Sequence, residues 1–238
     1  MINSLLVTIN QLLPLAVLVV FASTLCTCSF TKKALPWVIA ALLLPCFIYI
    51  FTMEQISQWF GFLGFEYSQI VLLLVIALSA LVGLAIQHWL PFVVLLSSAL
   101  SLYSSHYIPW LLQGDFDASR GLGLFLGIGI VVSFAVLLWF FLQWLNTRYG
   151  PLGVVILFGM HIAGSMVAML DIAAGAGLFT MPAAFTDLRF LLQEQSVVGR
   201  LAKVVLGYEA TPSLLSGAVY ATTLCSLVGV FAWRRRCV

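Results

Sequence analysis

Seven runs of about twenty residues each carry almost no charge, and that spacing leaves few folds open. A run of that length crosses the roughly 30 Å hydrocarbon core of a bilayer as one helix. The runs are Leu5–Cys26, Leu35–Phe51, Ser68–Ile86, Trp89–Leu112, Gly121–Leu145, Leu152–Leu170 with a glycine-rich extension to Phe179, and Leu214–Trp233. Only 8% of the 238 residues are charged, against about a quarter in a soluble domain. The reading is an all-α, polytopic membrane helix bundle of about seven transmembrane helices. Leu35–Phe51 is short and holds Pro36 and Pro45, which predicts a tilted or kinked helix. No Lys or Arg precedes the apolar run from Leu5, so the N-terminus reads as the first span rather than as a signal peptide.

Charge between the runs sets an orientation. One set of loops holds Lys32, Lys33, Arg148 and Arg234 to Arg236 with no acid. The other holds Arg120, Arg189, Arg200 and Lys203 among Glu54, Glu66, Asp115, Asp117, Asp187, Glu194 and Glu209. Basic residues concentrate in cytoplasmic loops, so the expected N-terminus is outside and the C-terminus cytoplasmic, in the inner or plasma membrane. Between spans six and seven, Leu188–Leu206 has helical apolar spacing with Arg200 and Lys203 between. It reads as an amphipathic helix on the outer face, ended by Gly207-Tyr208.

Polar residues inside spans mark where function would lie, because hydrocarbon cannot satisfy them. The fourth span carries Ser97, Ser98, Ser101, Ser104, Ser105 and His106. These line a path or site, or the serines bond back to their own helix and permit close packing. The sixth span carries Asp171, with Met160, Gly164 and Gly175 on roughly its face and His161 and Ser165 beside it. Asp171 is either a buried cation or proton site, or a solvated group near the outer end. Glu66, before the third span, is a second carboxylate at the outer mouth. Hard cations prefer oxygen ligands, so Glu66 and Asp171 are the candidate metal residues.

Other chemistries find less support. Gly121, Gly123, Gly127 and Gly129 lie inside a span and follow no strand, so they read as helix packing rather than a nucleotide loop. No basic stripe interleaved with aromatics suggests nucleic acid. His88, His106 and His161 offer no pair on one helix at haem-ligating spacing. Five cysteines without paired spacing make no disulfide framework. Cys26-Thr-Cys28 could offer thiolates to a soft metal, or simply fill a helix end.

Two stretches carry a resemblance. Leu191 to Trp233, containing SVVGRLAKVVLGYEATPSLLSGAVYATTL, is similar to the end of the high-affinity iron permease family of bacteria and fungi. Gly199, Gly207, Tyr208, Pro212, Ser213 and Tyr220 stand in matching places. GFEYSQIVLLLVIAL at Gly64–Leu78 resembles the acidic start of that family's third helix. The family also has seven spans and an outside N-terminus. Its Arg-Glu-Gly-x-Glu motifs, taken as iron ligands, would fall by position on Asn10 to Pro14 and near Tyr103 to Tyr107. Neither stretch contains an acid.

The seven spans divide into 1–87 and 88–179, each with three spans, followed by an external loop 180–213 and a last helix with a cytoplasmic tail, 214–238. Three spans each would set two inverted repeats with a path between their first helices. The resemblance implies an iron permease, not an enzyme, with iron as substrate, no permanent cofactor, and a periplasmic or surface iron-delivery partner. Asn10, Gln11, Ser104, Ser105 and His106 would line the path, and Glu66 and Asp171 would supply charge. The alternatives are a non-transporting scaffold or partner subunit of an uptake complex, and a membrane redox subunit.

Overall fold

The computed structural model describes residues 2–26, 35–112, 117–183, 185–189 and 196–237. These form eight helices: α1 (Ile2–Leu25), α2 (Leu35–Ser57), α3 (Gly64–Ile86), α4 (Trp89–Leu112), α5 (Ala118–Tyr149), α6 (Pro151–Gly175), α7 (Val197–Leu206) and α8 (Leu214–Cys237). No strand occurs among the described residues. Six of the helices are long and apolar enough to cross a membrane. The exception among the long ones is α4, 24 residues whose serines and His106 lower its hydropathy. Cys28, Lys32, Lys33, Asp115, Glu194 and part of the expected amphipathic stretch lie outside the described residues.

Local chemistry explains the helix ends. Asp117 caps α5, its Oδ1 accepting from the Ala118 amide at 2.7 Å. Gly150, at φ +77°, and Pro151 at the start of α6 separate two helices that would otherwise continue. The helix α2 runs unbroken through Pro45, and Pro36 sits in its first turn, where no amide partner is needed. At 32 residues α5 is about 48 Å long, which in a bilayer requires tilt or protrusion.

The core lies where α1, α3, α4, α6 and α8 meet, around Phe21, Ile76, Leu95, Phe158 and Leu227. Phe21 and Phe158 are tilted rings with centroids 5.6 Å apart. Of α2 only Cys46 is buried, so nearly all its apolar surface faces outward, as in a lipid-facing helix. Close crossings use glycine. A Cβ on Gly127 of α5 would stand 2.8 Å from the Thr8 Cβ of α1, which bears out the packing reading of that glycine.

The packing partners follow a rule. Among the described residues, α1 meets α4, α5 and α6 but not α2, while α4 meets α1, α2 and α3 but not α5. Exchanging α1, α2, α3 with α4, α5, α6 maps α1–α5 onto α4–α2, α1–α6 onto α4–α3 and α2–α3 onto α5–α6, and leaves α1–α4 and α3–α6 as they are. Both α3 and α6 also pack on α8.

Candidate functional site

A cavity of about 540 Å³ lies in the half of the bundle where α1 and α3 begin and α4 and α6 end. Asn10, Gln11 and Pro14 come from α1, Gln69 and Leu73 from α3, and Leu102, Tyr103 and His106 from α4. His161, Gly164, Ser165, Ala168 and Ile172 come from α6, spaced so that one helical face looks inward. Arg200, Lys203 and Val204 of α7 close one side. The volume falls in the range of small-molecule sites.

Two histidines are held differently. The Gln69 Nε2 and His106 Nε2 lie 2.6 Å apart. This hydrogen bond ties α3 to α4. The Phe65 ring packs edge-on against this imidazole at 5.1 Å between centroids. His161 is only 4% exposed. Its Nδ1 donates to the Val204 carbonyl at 2.5 Å, and its Nε2 is buried without a hydrogen-bond partner. The neutral ring therefore presents Nε2 as an acceptor.

The helix α7 is pinned in place by its last turn. Ser196 caps its start, accepting from the Gly199 amide at 3.0 Å. At its end Gly207 adopts φ +66° and donates to Lys203 O, and Tyr208 donates to Ala202 O, the pattern of a left-handed C-cap. The Gly207 backbone lies against Gly164 of α6, so close that a Cβ on Gly164 would overlap it. Tyr220 of α8 donates to Leu206 O at 2.6 Å. Tyr208 donates to Leu188 O at 3.1 Å, and Ser213 caps α8 by accepting from Ser216 N at 3.0 Å. Most of the residues that carry the iron-permease resemblance are therefore occupied in fixing α7 and the turn into α8.

The expected path residues divide. Asn10, Gln11 and His106 come together in the cavity. Ser104 and Ser105 do not line it. Ser105 is buried and donates to Leu102 O, Ser101 to Ser97 O and Ser98 to Val94 O. These hydroxyls bond back to their own helix, the packing alternative rather than the lined path. One residue turns a helix by about 100°, so Ser105 cannot share the outlook of His106.

Neither candidate metal residue lines the cavity. Asp171 is exposed and four residues from the end of α6, the placement of the solvated alternative and not of a buried carboxylate. Glu66 sits in the first turn of α3, partly buried, its Oε2 without a hydrogen-bond partner. Among the described residues no three of His, Cys, Asp and Glu converge on a metal-sized site. The sequence reading missed Gln69, although a lone amide in an apolar span is itself a signal. It read Arg200 and Lys203 as surface charges, since nothing in the sequence says which face of α7 meets the bundle.

Comparison with family models, curated proteins and solved structures finds no match to this chain.

Proposed function

We propose that this chain is a multi-pass membrane permease of the iron-permease type, with seven spans and its solute path between α1 and α4. The observation that carries the reading is the cavity itself, which gathers Asn10, Gln11, Gln69, His106 and His161 from four long helices into one small-molecule-sized space. Polar groups in spanning helices are costly and gather where a solute passes. The exchange rule among helix pairs supports two inverted three-helix repeats flanking that path, with α4 counted as a span and α8 set against both halves. The cavity half is the outer one on the charge distribution, and Arg234 to Arg236 hold the tail in the cytoplasm. Iron is the cargo that the resemblance implies, delivered by a surface partner.

The test is radioactive iron uptake by cells without their own iron permeases, expressing this chain alone. Uptake by wild type, lost in His106→Ala and in Asn10→Ala/Gln11→Ala, is the expected result. No uptake from a well-inserted wild-type chain would sink the reading and favour a scaffold or partner subunit.

A membrane redox subunit is the second reading, favoured by one observation: His106 and His161 line a single cavity from different helices. Against it, the His106 Nε2 is engaged by Gln69, so only His161 offers an open nitrogen. A haem absorption band in the purified protein would decide for this reading.

A further inference from the structure

We propose that a second cavity, at the end of the bundle opposite the first, holds the phosphate of an anionic phospholipid headgroup between Arg234 and Arg235 of α8. The site is independent of what the first cavity carries.

Four observations converge. First, chemistry: the cavity holds about 290 Å³ and is lined by Arg234, Arg235, Gln87 and Asn146, with Leu25 and Phe231 as its apolar wall. Guanidinium forks suit phosphate oxygens, and the volume suits a headgroup rather than a whole lipid. Second, charge: none of the eight acids of the sequence falls in 1–53, 67–114, 118–170 or 210–238. Those stretches contain the end of α1, the start of α2, both turns α3–α4 and α5–α6, and the end of α8, which together build this end of the bundle. The sequence therefore supplies no carboxylate here to neutralise the arginines. Third, depth: Trp37, Trp144, Tyr149 and Trp233 are exposed at this end. Exposed Trp and Tyr of this kind sit at the headgroup level of a bilayer. Asn146 falls between two of them and Arg234 directly follows another, so the cavity lies at the depth of lipid phosphates. Fourth, preparation: half-buried Arg234 donates from one nitrogen to the Leu84 carbonyl at 3.5 Å, and the Arg235 guanidinium carbon stands 6.0 Å from the Phe231 ring centre, at the reach of a cation–π contact.

The arrangement assigns roles. Arg234 and Arg235 pair with the phosphate oxygens, the Asn146 amide donates to a remaining oxygen, and the acyl chains stay in the bilayer. The lining comes from α1, α3, α5, α6 and α8. A headgroup bound there joins the two three-helix stretches to the last helix, and binding to the folded state alone stabilises it. Arginines that merely orient the tail would act alike at 234, 235 and 236 and would give Asn146 no part. No covalent step is involved.

The experiment uses the full chain in detergent, titrated at raised salt with phosphatidylglycerol, phosphatidylcholine and glycerol 3-phosphate. Retained lipid is counted by native mass spectrometry, and affinity is read from the rise in melting temperature. Saturable binding of phosphatidylglycerol is expected, tighter than that of phosphatidylcholine. Arg234→Gln and Arg235→Gln should each weaken it about tenfold or more by loss of a charge-assisted pair. Arg234→Lys, which keeps the charge and loses the fork, should restore part of it. Asn146→Ala changes no charge and should weaken it about threefold. Arg236→Gln removes the same charge from an exposed position outside the cavity. With exposed charges screened, it should change binding by less than about twofold. A lipid-free melting temperature near that of wild type shows that each variant is folded. If Arg234→Gln does not fold, Asn146→Ala against Arg236→Gln decides alone. Equal weakening by Arg234→Gln and Arg236→Gln, with none by Asn146→Ala, would mean diffuse surface charge and overturn the site. Saturation by glycerol 3-phosphate without any response to phosphatidylglycerol would overturn the lipid and make this a site for a soluble phosphate.

Discussion

At the scale of the residue, the polar groups of α4 separate into two kinds that look alike in sequence. Ser98 and Ser101 satisfy themselves on backbone carbonyls four residues earlier, while Ser105 bonds back to Leu102 O and also meets the Tyr49 hydroxyl of α2. Ser105→Ala should leave uptake unchanged and cost about 0.5–1.5 kcal/mol for the lost Tyr49 bond, read by thermal unfolding in detergent and by the same uptake assay. His106→Ala, one position on, should abolish uptake. Gln69 reaches across from α3 to His106. Gln69→Leu should cost about 0.5–1.5 kcal/mol, because it removes the hydrogen-bond partner of the exposed His106 imidazole. Wild-type stability and uptake in that variant would remove the Gln69–His106 pair from the site. Both the lone glutamine and the serine run were legible in the sequence. Which of them faced the cavity was not, because a helix in an apolar bundle has no polar face to reveal its rotation.

At the scale of the element, α7 is the piece on which the site depends. Ten residues would not hold a helix alone in water, and this one is held by the His161–Val204 bond, the Tyr220–Leu206 bond and the Gly164–Gly207 contact. Gly207→Ala adds a Cβ at φ +66°, 2.5 Å from the Gly164 Cα. Strain and overlap together should cost about 2–4 kcal/mol and loosen α7 before the bundle melts. Faster tryptic cleavage after Arg200 or Lys203, with helix content retained, is the expected signature. Unchanged cleavage would mean that the glycine contact does not hold α7. Tyr220→Phe should act in the same direction with about 0.5–1.5 kcal/mol. The amphipathic pattern of this stretch was plain in the sequence, as was its glycine stop. Its docking onto α1 and α6 was not, because both the membrane surface and a bundle face accept an apolar stripe.

At the scale of the whole molecule, the helices of 1–87 and 88–179 are joined by pairs that cross between the two stretches, beside the internal pairs α2–α3 and α5–α6. The second helix of each half packs on the first helix of the other. Mutual clasping of this kind predicts that the halves do not fold separately: 1–87 and 88–238 expressed apart should aggregate, and expressed together should recover the full-length melting transition. A stable, monomeric first half would contradict it. Orientation is tested by cysteines placed one at a time in a background without the native ones. Labelling of Lys203→Cys by an impermeant reagent should proceed on intact cells, and labelling at Arg148→Cys only after permeabilisation. The reverse pattern would invert the topology.

The all-helical class and the approximate bounds of the long apolar helices follow from the chain alone, because the cost of leaving backbone groups unbonded in hydrocarbon makes each such run a helix whatever surrounds it. Trp89–Leu112 is read and found with the same ends, although its serines and His106 leave it outside the six helices long and apolar enough to cross a membrane. The site is different in kind. Asn10, Gln69, His106, His161 and Arg200 are far apart in sequence, and each is a single polar residue whose helix could present it in any direction. Only the packing of α1, α3, α4, α6 and α7 turned them toward one space, and that packing rests on side-chain fit and glycine crossings that no periodicity records. The same packing left Asp171 exposed and Glu66 outside the cavity, so the charge of the site was decided by tertiary structure.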